Sequence, residues 1–138
     1  MKRENKKFFN IKVNVKSALP VYEQIKRAIK LAILSGHLEE GDQLMSLRDL
    51  ALKLQINPNT IIKVYYQLEI EGFVYSRPGA GYFVKLDRKK VQKEKSYLFE
   101  EITGDYISRV MDLGYSFEDI FKEISRKASA SNPKKVRE

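Results

Sequence analysis

The stretch SLRDLALKLQINPNTIIKVYYQLEIEG, residues 46–72, contains two helix starts in close succession, and their spacing decides the fold. Ser46 followed by Asp49 is a capping-box arrangement, in which the hydroxyl accepts from an early helical amide and the carboxylate reaches back. Leu47, Leu50, Ala51 and Leu54 then give a short helix one apolar face. Asn57-Pro58 restarts the pattern: an Asx cap with proline at the first helical position, where its missing N–H costs nothing. The stripe Ile61, Val64, Tyr65 and Leu68 turns this second helix toward a core and leaves Asn59, Thr60, Lys63, Tyr66 and Gln67 largely on other faces, until Gly72 stops it.

Outward from this pair, Phe73–Tyr75 and Tyr82–Val84 are β-prone runs joined through Pro78-Gly79, which suits the centre of a type II turn, so a hairpin follows. Upstream, Pro20 opens a helix over roughly 20–35 whose apolar positions Val21, Ile25, Ala28, Ile29, Ala32 and Ile33 recur at helical spacing, with Gly36 as a left-handed cap. Residues 36–43 have no periodicity and read as a loop. Phe9, Ile11, Val13 and Val15 alternate with polar residues as a short edge strand would. Downstream, the basic and nearly apolar-free segment 87–96 reads as a linker or an exposed helix start. Beyond it Leu98, Ile102, Tyr106, Val110 and Leu113 form a stripe ending at Gly114, and a second capping box at Ser116 and Asp119 begins a last helix, with Phe117, Ile120, Phe121 and Ile124, ending near Lys127.

The sequence therefore predicts a mostly α protein with a small β wing. Residues 1–16 form a basic arm with a short strand, 17–86 a winged helix-turn-helix domain, 87–96 a linker, 97–127 a two-helix dimerisation segment, and 128–138 a flexible tail. No internal repeat is found.

The chain has 138 residues, 43% hydrophobic and 32% charged, with a formal net charge of +8. That length excludes a large multi-domain enzyme, and the composition is that of a folded chain rather than a disordered polymer. Without cysteine there is no disulfide, zinc-thiolate site or thiol nucleophile. No apolar run spans a bilayer and no signal core follows the N-terminal lysines, so a cytoplasmic protein is expected. The first sixteen residues alone carry +5, which serves either a polyanion or solubility.

Catalytic chemistry has little to build on. The single histidine, His37, lies in a loop without a metal-binding or nucleophilic partner, and the acids Glu39, Glu40 and Asp42 have the irregular spacing of a solvated turn. Gly79-Ala80-Gly81 lacks the third glycine and the strand-to-helix setting of a dinucleotide loop. Neither catalysis, a metal nor a cofactor is expected.

The order helix, turn, helix, hairpin is that of a winged helix-turn-helix, in which the second helix of the pair enters the major groove of double-stranded DNA. Asn57, Pro58, Asn59 and Thr60 then stand at base edges, where Asn amides pair with adenine. Ser46, Arg48 and Thr60 hold phosphates, and Lys63 lies one turn on. In the wing, Arg77 and Tyr82 are candidates for sugar-phosphate contact, Tyr82 having packing against Tyr75 as its alternative.

The run from Pro20-Val21-Tyr22-Glu23-Gln24-Ile25, through Ser35-Gly36, Leu38, Gly41-Asp42, Leu44, Ser46, Arg48, Leu50-Ala51 and Asn57-Pro58-Asn59-Thr60, to Leu68-Glu69, Glu71-Gly72 and Gly79, Gly81-Tyr82-Phe83-Val84, resembles the GntR family of bacterial transcription regulators. The Pro-x-Tyr-x-Gln opening, the Asn-Pro-Asn-Thr start and the short C-terminal part look like its YtrA-like subfamily. The resemblance implies a homodimeric repressor on an inverted-repeat operator, often in a transporter operon. It also implies DNA contacts at Ser46, Arg48, Asn57, Asn59, Thr60, Lys63 and Gly81. Two positions depart from the family pattern: Met45 replaces a usual proline, and Ala80 replaces a common basic residue between the wing glycines.

Two helices cannot bury so many aromatics unaided, so their apolar surface must go against the first domain or a second copy of the chain, and dimerisation is assigned to Leu98, Ile102, Tyr106, Val110, Phe117 and Phe121. One rival reading is an interaction adaptor that keeps the winged fold without sequence-specific DNA binding. A second rival reading is a small-molecule-gated sensor, with a pocket between the domains lined by such residues as Tyr97, Tyr106 and Tyr115.

Overall fold

A computed structural model describes residues 11–131. Seven elements follow one another: α1 (Val21–Leu34), α2 (Leu47–Leu54), α3 (Pro58–Ile70), β1 (Val74–Arg77), β2 (Gly81–Val84), α4 (Arg88–Asp112) and α5 (Phe117–Ser131). The protein is mostly helical with an antiparallel two-stranded wing, and it divides between Glu94 and Lys95 into two compact units.

In the first unit, α1 and α2 both pack on α3. Ile25, Ile29 and Ile33 of α1 meet Ile61, Val64, Tyr65 and Leu68 of α3, all at most 1% exposed, so the 3.6-residue periodicities of the two helices converge on one core. Leu50 and Ala51 add the buried face of α2. Helix α1 ends at Gly36, whose φ of +86° lets the Leu38 amide return to the Ala32 carbonyl at 2.9 Å.

Ahead of α1 the expected strand is not formed in its described part. Ile11 is buried, but the backbone of Asn14 bonds the Gln24 side chain instead of a neighbouring strand, its amide donating to Oε1 at 2.8 Å and its carbonyl accepting from Nε2 at 2.9 Å. Nε2 also reaches the Leu19 carbonyl at 2.8 Å. One glutamine thus satisfies both backbone polar groups of Asn14, which a sheet partner would otherwise have taken. The residues before Ile11, with most of the basic arm, lie outside the described residues, as does the tail beyond Ser131.

The wing is tighter than the sequence suggests. Tyr75 pairs with Phe83 and Arg77 with Gly81, leaving Pro78, Gly79 and Ala80 as the turn. The Ala80 amide donates to the Arg77 carbonyl at 3.0 Å, and Gly79 at φ +75° supplies the left-handed residue a type II turn needs. The segment read as a loop also contributes. Gly41 and Leu44 donate to Val84 and Tyr82, Val84 donates to Asp42, and Gln43 bridges to Phe83.

The stretch 88–96, expected as a linker or helix start, is helix throughout and forms the beginning of α4. Asp87 caps it, its carboxylate accepting from the Lys89 and Lys90 amides at 3.0 and 3.3 Å. Helix α5 likewise runs past Lys127 to Ser131. Its start is the expected capping box: Ser116 Oγ accepts from the Asp119 amide at 3.2 Å, and the Asp119 carboxylate accepts from the Ser116 amide at 2.9 Å, which holds that carboxyl below its usual range.

Candidate nucleic-acid interface

The turn between α2 and α3 sets the interface. Helix α2 is capped by Ser46 Oγ, which accepts from the Asp49 amide at 3.0 Å. It ends at Gln55 in the left-handed region (φ +56°), which reverses the chain within one residue, and the Ile56 amide closes on the Ala51 carbonyl at 2.9 Å. Asn57 then caps α3, its side-chain carbonyl accepting from the Asn59 amide at 2.8 Å with Pro58 at the first helical position.

Behind the turn, Tyr65 fixes the mutual pose of the two helices. Its hydroxyl donates to the Met45 carbonyl at 2.6 Å, one residue before the α2 cap. Burial, with Tyr82 beside it, pushes this phenol up and keeps it a neutral donor. The Tyr82 ring meets Tyr65 edge-on at 5.1 Å. The Tyr75–Tyr82 packing left open as the alternative is therefore absent: the register places Tyr82 opposite Ser76, and Tyr75 stacks on Phe83 at 5.7 Å.

Against this scaffold Ser46, Arg48, Asn57, Pro58, Asn59 and Lys63 are exposed and Thr60 is half-buried, all at or near the α2 and α3 starts. Arg48 sits in the first turn of α2, where a cation opposes the helix dipole, so its position contributes nothing to helix stability. Lys63 Nζ stands 3.9 Å over the Tyr22 ring of α1, an aromatic rest that narrows where the ammonium can point. Sequence reasoning missed that partner, although the aromatic of the Pro-x-Tyr-x-Gln run was its signal.

In the wing, Arg77 and Gly81 are exposed and Tyr82 is half-buried. The Arg77 guanidinium lies 5.0 Å from the Phe83 ring centre. Gln43 steadies the tip, its amide nitrogen donating to the Ala80 carbonyl at 2.7 Å. A Cβ on Gly81 would come within 3.1 Å of that nitrogen on a backbone at φ +114°, so glycine is required there.

At the back of α3, Glu71 accepts from Lys26 and Lys30 at 2.8 Å each, locking α1 to the helix end. Burial raises the Glu71 carboxyl, and the two ammonium groups more than offset it, leaving the group below its ordinary value.

In the second unit none of α4 is buried. Leu98 and Val110 are half-buried, while Ile102, Tyr106, Phe117 and Phe121 are exposed. A cleft of about 530 Å³ between α4 and α5 is lined by Tyr106, Val110, Leu113, Tyr115 and Ile120 with Asp119, Lys122, Glu123 and Arg126. Tyr97 does not line it.

Two helices set by a tight turn, with a tethered hairpin after the second, define a winged helix-turn-helix, the class of protein that docks its second helix in DNA. A model of bacterial regulatory proteins of the gntR family matches residues 21–84. The HTH-type transcriptional repressor YtrA of Bacillus subtilis is 38% identical over 119 residues, covering 83% of this chain and 92% of its own. A GntR family transcriptional regulator from Listeria monocytogenes superposes with a TM-score of 0.71 at 32% identity over 80% of this chain and 97% of that one. The DNA-binding domain of AraR, solved in complex with operator ORX1, gives 0.50 at 26% identity over 56% of this chain and 99% of its own. The chain belongs to the GntR family: it is a DNA-binding transcription regulator, and the family and these relatives are regulators rather than enzymes. Among the described residues no helix is long and apolar enough to cross a membrane.

Proposed function

We propose that the chain is a homodimeric repressor that binds an inverted-repeat operator and acts by occupancy. The observation that carries this reading is the exposed start of α3, where Asn57, Asn59 and Thr60 stand at a capped helix N-terminus braced from behind by Tyr65. Asn59 reads a base edge, Arg48 and Lys63 hold phosphates, and Arg77 supplies the wing's cation where Ala80 supplies none. The apolar side chains left exposed on α4 and α5, Ile102 and Phe121 among them, support pairing through a second copy, which doubles the contacts and fixes the half-site spacing. Control of a transporter operon, and an effector seated in the α4–α5 cleft beside Tyr106 and Tyr115, belong to the same proposal.

Selection of bound sequences from random duplex DNA yields an inverted repeat if the reading holds, and Asn59→Ala then loses about tenfold or more of the discrimination between that operator and random DNA. Arg48→Ala weakens both. Equal loss on both sequences for Asn59→Ala removes its base-reading role. Failure to select any sequence leaves the adaptor reading in place.

A further inference from the structure

The α3 helix carries a second stripe that its core packing does not explain. At about 100° per residue, Ile61, Val64, Tyr65 and Leu68 occupy one arc, and Asn59, Ile62, Lys63 and Tyr66 fall within an arc of about 100° on the opposite side. The first set is at most 1% exposed, whereas Ile62 is 46% and Tyr66 59% exposed. The core of the winged unit is complete without these two side chains. Single exposed apolar residues are ordinary, but here they share the face of the polar residues that open the helix.

Ile62 lies about 4.5 Å along the axis from Asn59 and Tyr66 about 10.5 Å. The major groove is about 12 Å wide, so a helix entering by its N-terminus brings Ile62 to the bases and leaves Tyr66 nearer the groove edge. What an aliphatic side chain recognises there is the C5-methyl of thymine, the one apolar group a base pair displays in that groove. Isoleucine suits a fixed contact of this kind, since its β-branch confines χ1 and little rotamer freedom remains to lose.

Resting on the proposed docking of α3, we propose that Ile62 is a specificity-determining residue that reads a thymine methyl one turn beyond Asn59. Polar contacts and an apolar contact would then share one face, and the operator would carry a thymine at a defined step from the base read by Asn59.

The test replaces each thymidine of the selected half-site, one at a time, by deoxyuridine, which keeps the pairing and removes only the methyl. With the unaltered chain, one or two positions lower affinity by about fourfold, the fold-change expected from exposing one methyl. Ile62→Ala, checked for unchanged thermal unfolding, weakens the thymine operator by at least as much and is insensitive to deoxyuridine at the same positions. If no deoxyuridine position weakens the unaltered chain, or if the weakening persists in Ile62→Ala, the assignment is wrong. If no sequence is selected at all, the docking of α3 fails first and this inference with it.

Discussion

In the winged unit Ile25, Ile29, Ile61, Val64, Leu68 and Val84 are fully buried, whereas in the second unit Phe99, Ile102, Leu113 and Phe121 remain between 64% and 76% exposed and Ile120 is the buried residue of α5. Both units have helices with apolar stripes, so the difference lies in what each stripe meets. In the first, three helices and a hairpin enclose one apolar core, although Leu31, Leu52 and Ile70 stay outward. In the second, α4 and α5 line one cleft and leave most of their apolar side chains outward. Periodicity identifies an apolar face but not the molecule that covers it.

The sharpest way to break that contrast is inside the closed core. Leu68→Ala is expected to cost about 3 kcal/mol of folding free energy, because the site cannot collapse around the cavity. Hydrogen exchange should show faster opening of α1 and α3 amides. Phe121→Asp should leave those amides unchanged and, if the proposed dimer forms through this unit, raise its dissociation constant about thirtyfold, read by sedimentation equilibrium. Comparable loss of winged-unit protection in both variants would erase the distinction between the units.

The ion-paired edge of the winged unit adds a pH dependence. The folded Glu71 carboxyl titrates below its unfolded value, so its contribution is complete above that ordinary glutamate value and is lost as pH falls through the lower folded one. Glu71→Gln is expected to cost about 1 kcal/mol at neutral pH, with the gap to the parent closing in acid. A gap independent of pH would show that shape rather than charge holds the corner. The smallest effect concerns the aromatic rest under Lys63: Tyr22→Leu should weaken DNA binding about threefold, Tyr22→Phe hardly at all, and neither further in a Lys63→Ala background. An undiminished loss in that background would place Tyr22 in a role of its own.

Most of the winged unit was legible because its local signals and its packing agree. The stripe Ile61, Val64, Tyr65 and Leu68 is the buried face of α3, and Asn57 caps as its spacing requires. The strand expected near Val13 is absent from its described part because the alternation does not mark a buried face, Val15 being 75% exposed, and the Gln24 side chain takes both backbone groups of Asn14. The helical start of α4 was obscured by its charge, since an apolar stripe was the signal sought. Asp87 as a cap and the high helix propensity of Lys, Arg, Gln and Glu were the signals present. The alternative of Tyr82 packing on Tyr75 fell because register decides ring neighbours and residue type does not: Tyr82 lies opposite Ser76 and meets Tyr65. Ile62 was passed over because an isoleucine in a helix reads as core until its angle is set against its neighbours.

The strip 41–44 that pairs with β2 has a consequence for the order of folding. Gly41 and Val84 are joined by a hydrogen bond of 2.9 Å, with α2, α3 and β1 in the chain between them. Closing so long a loop costs entropy before its contacts return anything, and a lone two-stranded hairpin is marginal in water. The pairing of this strip with the wing is therefore expected to form late, after the helices have brought its two edges together, which pulse-labelling hydrogen exchange of the Gly41 and Leu44 amides would read. Its hydrogen bonds act as a latch on the finished domain: a chain that presents a wing to DNA has already folded the helices that precede it.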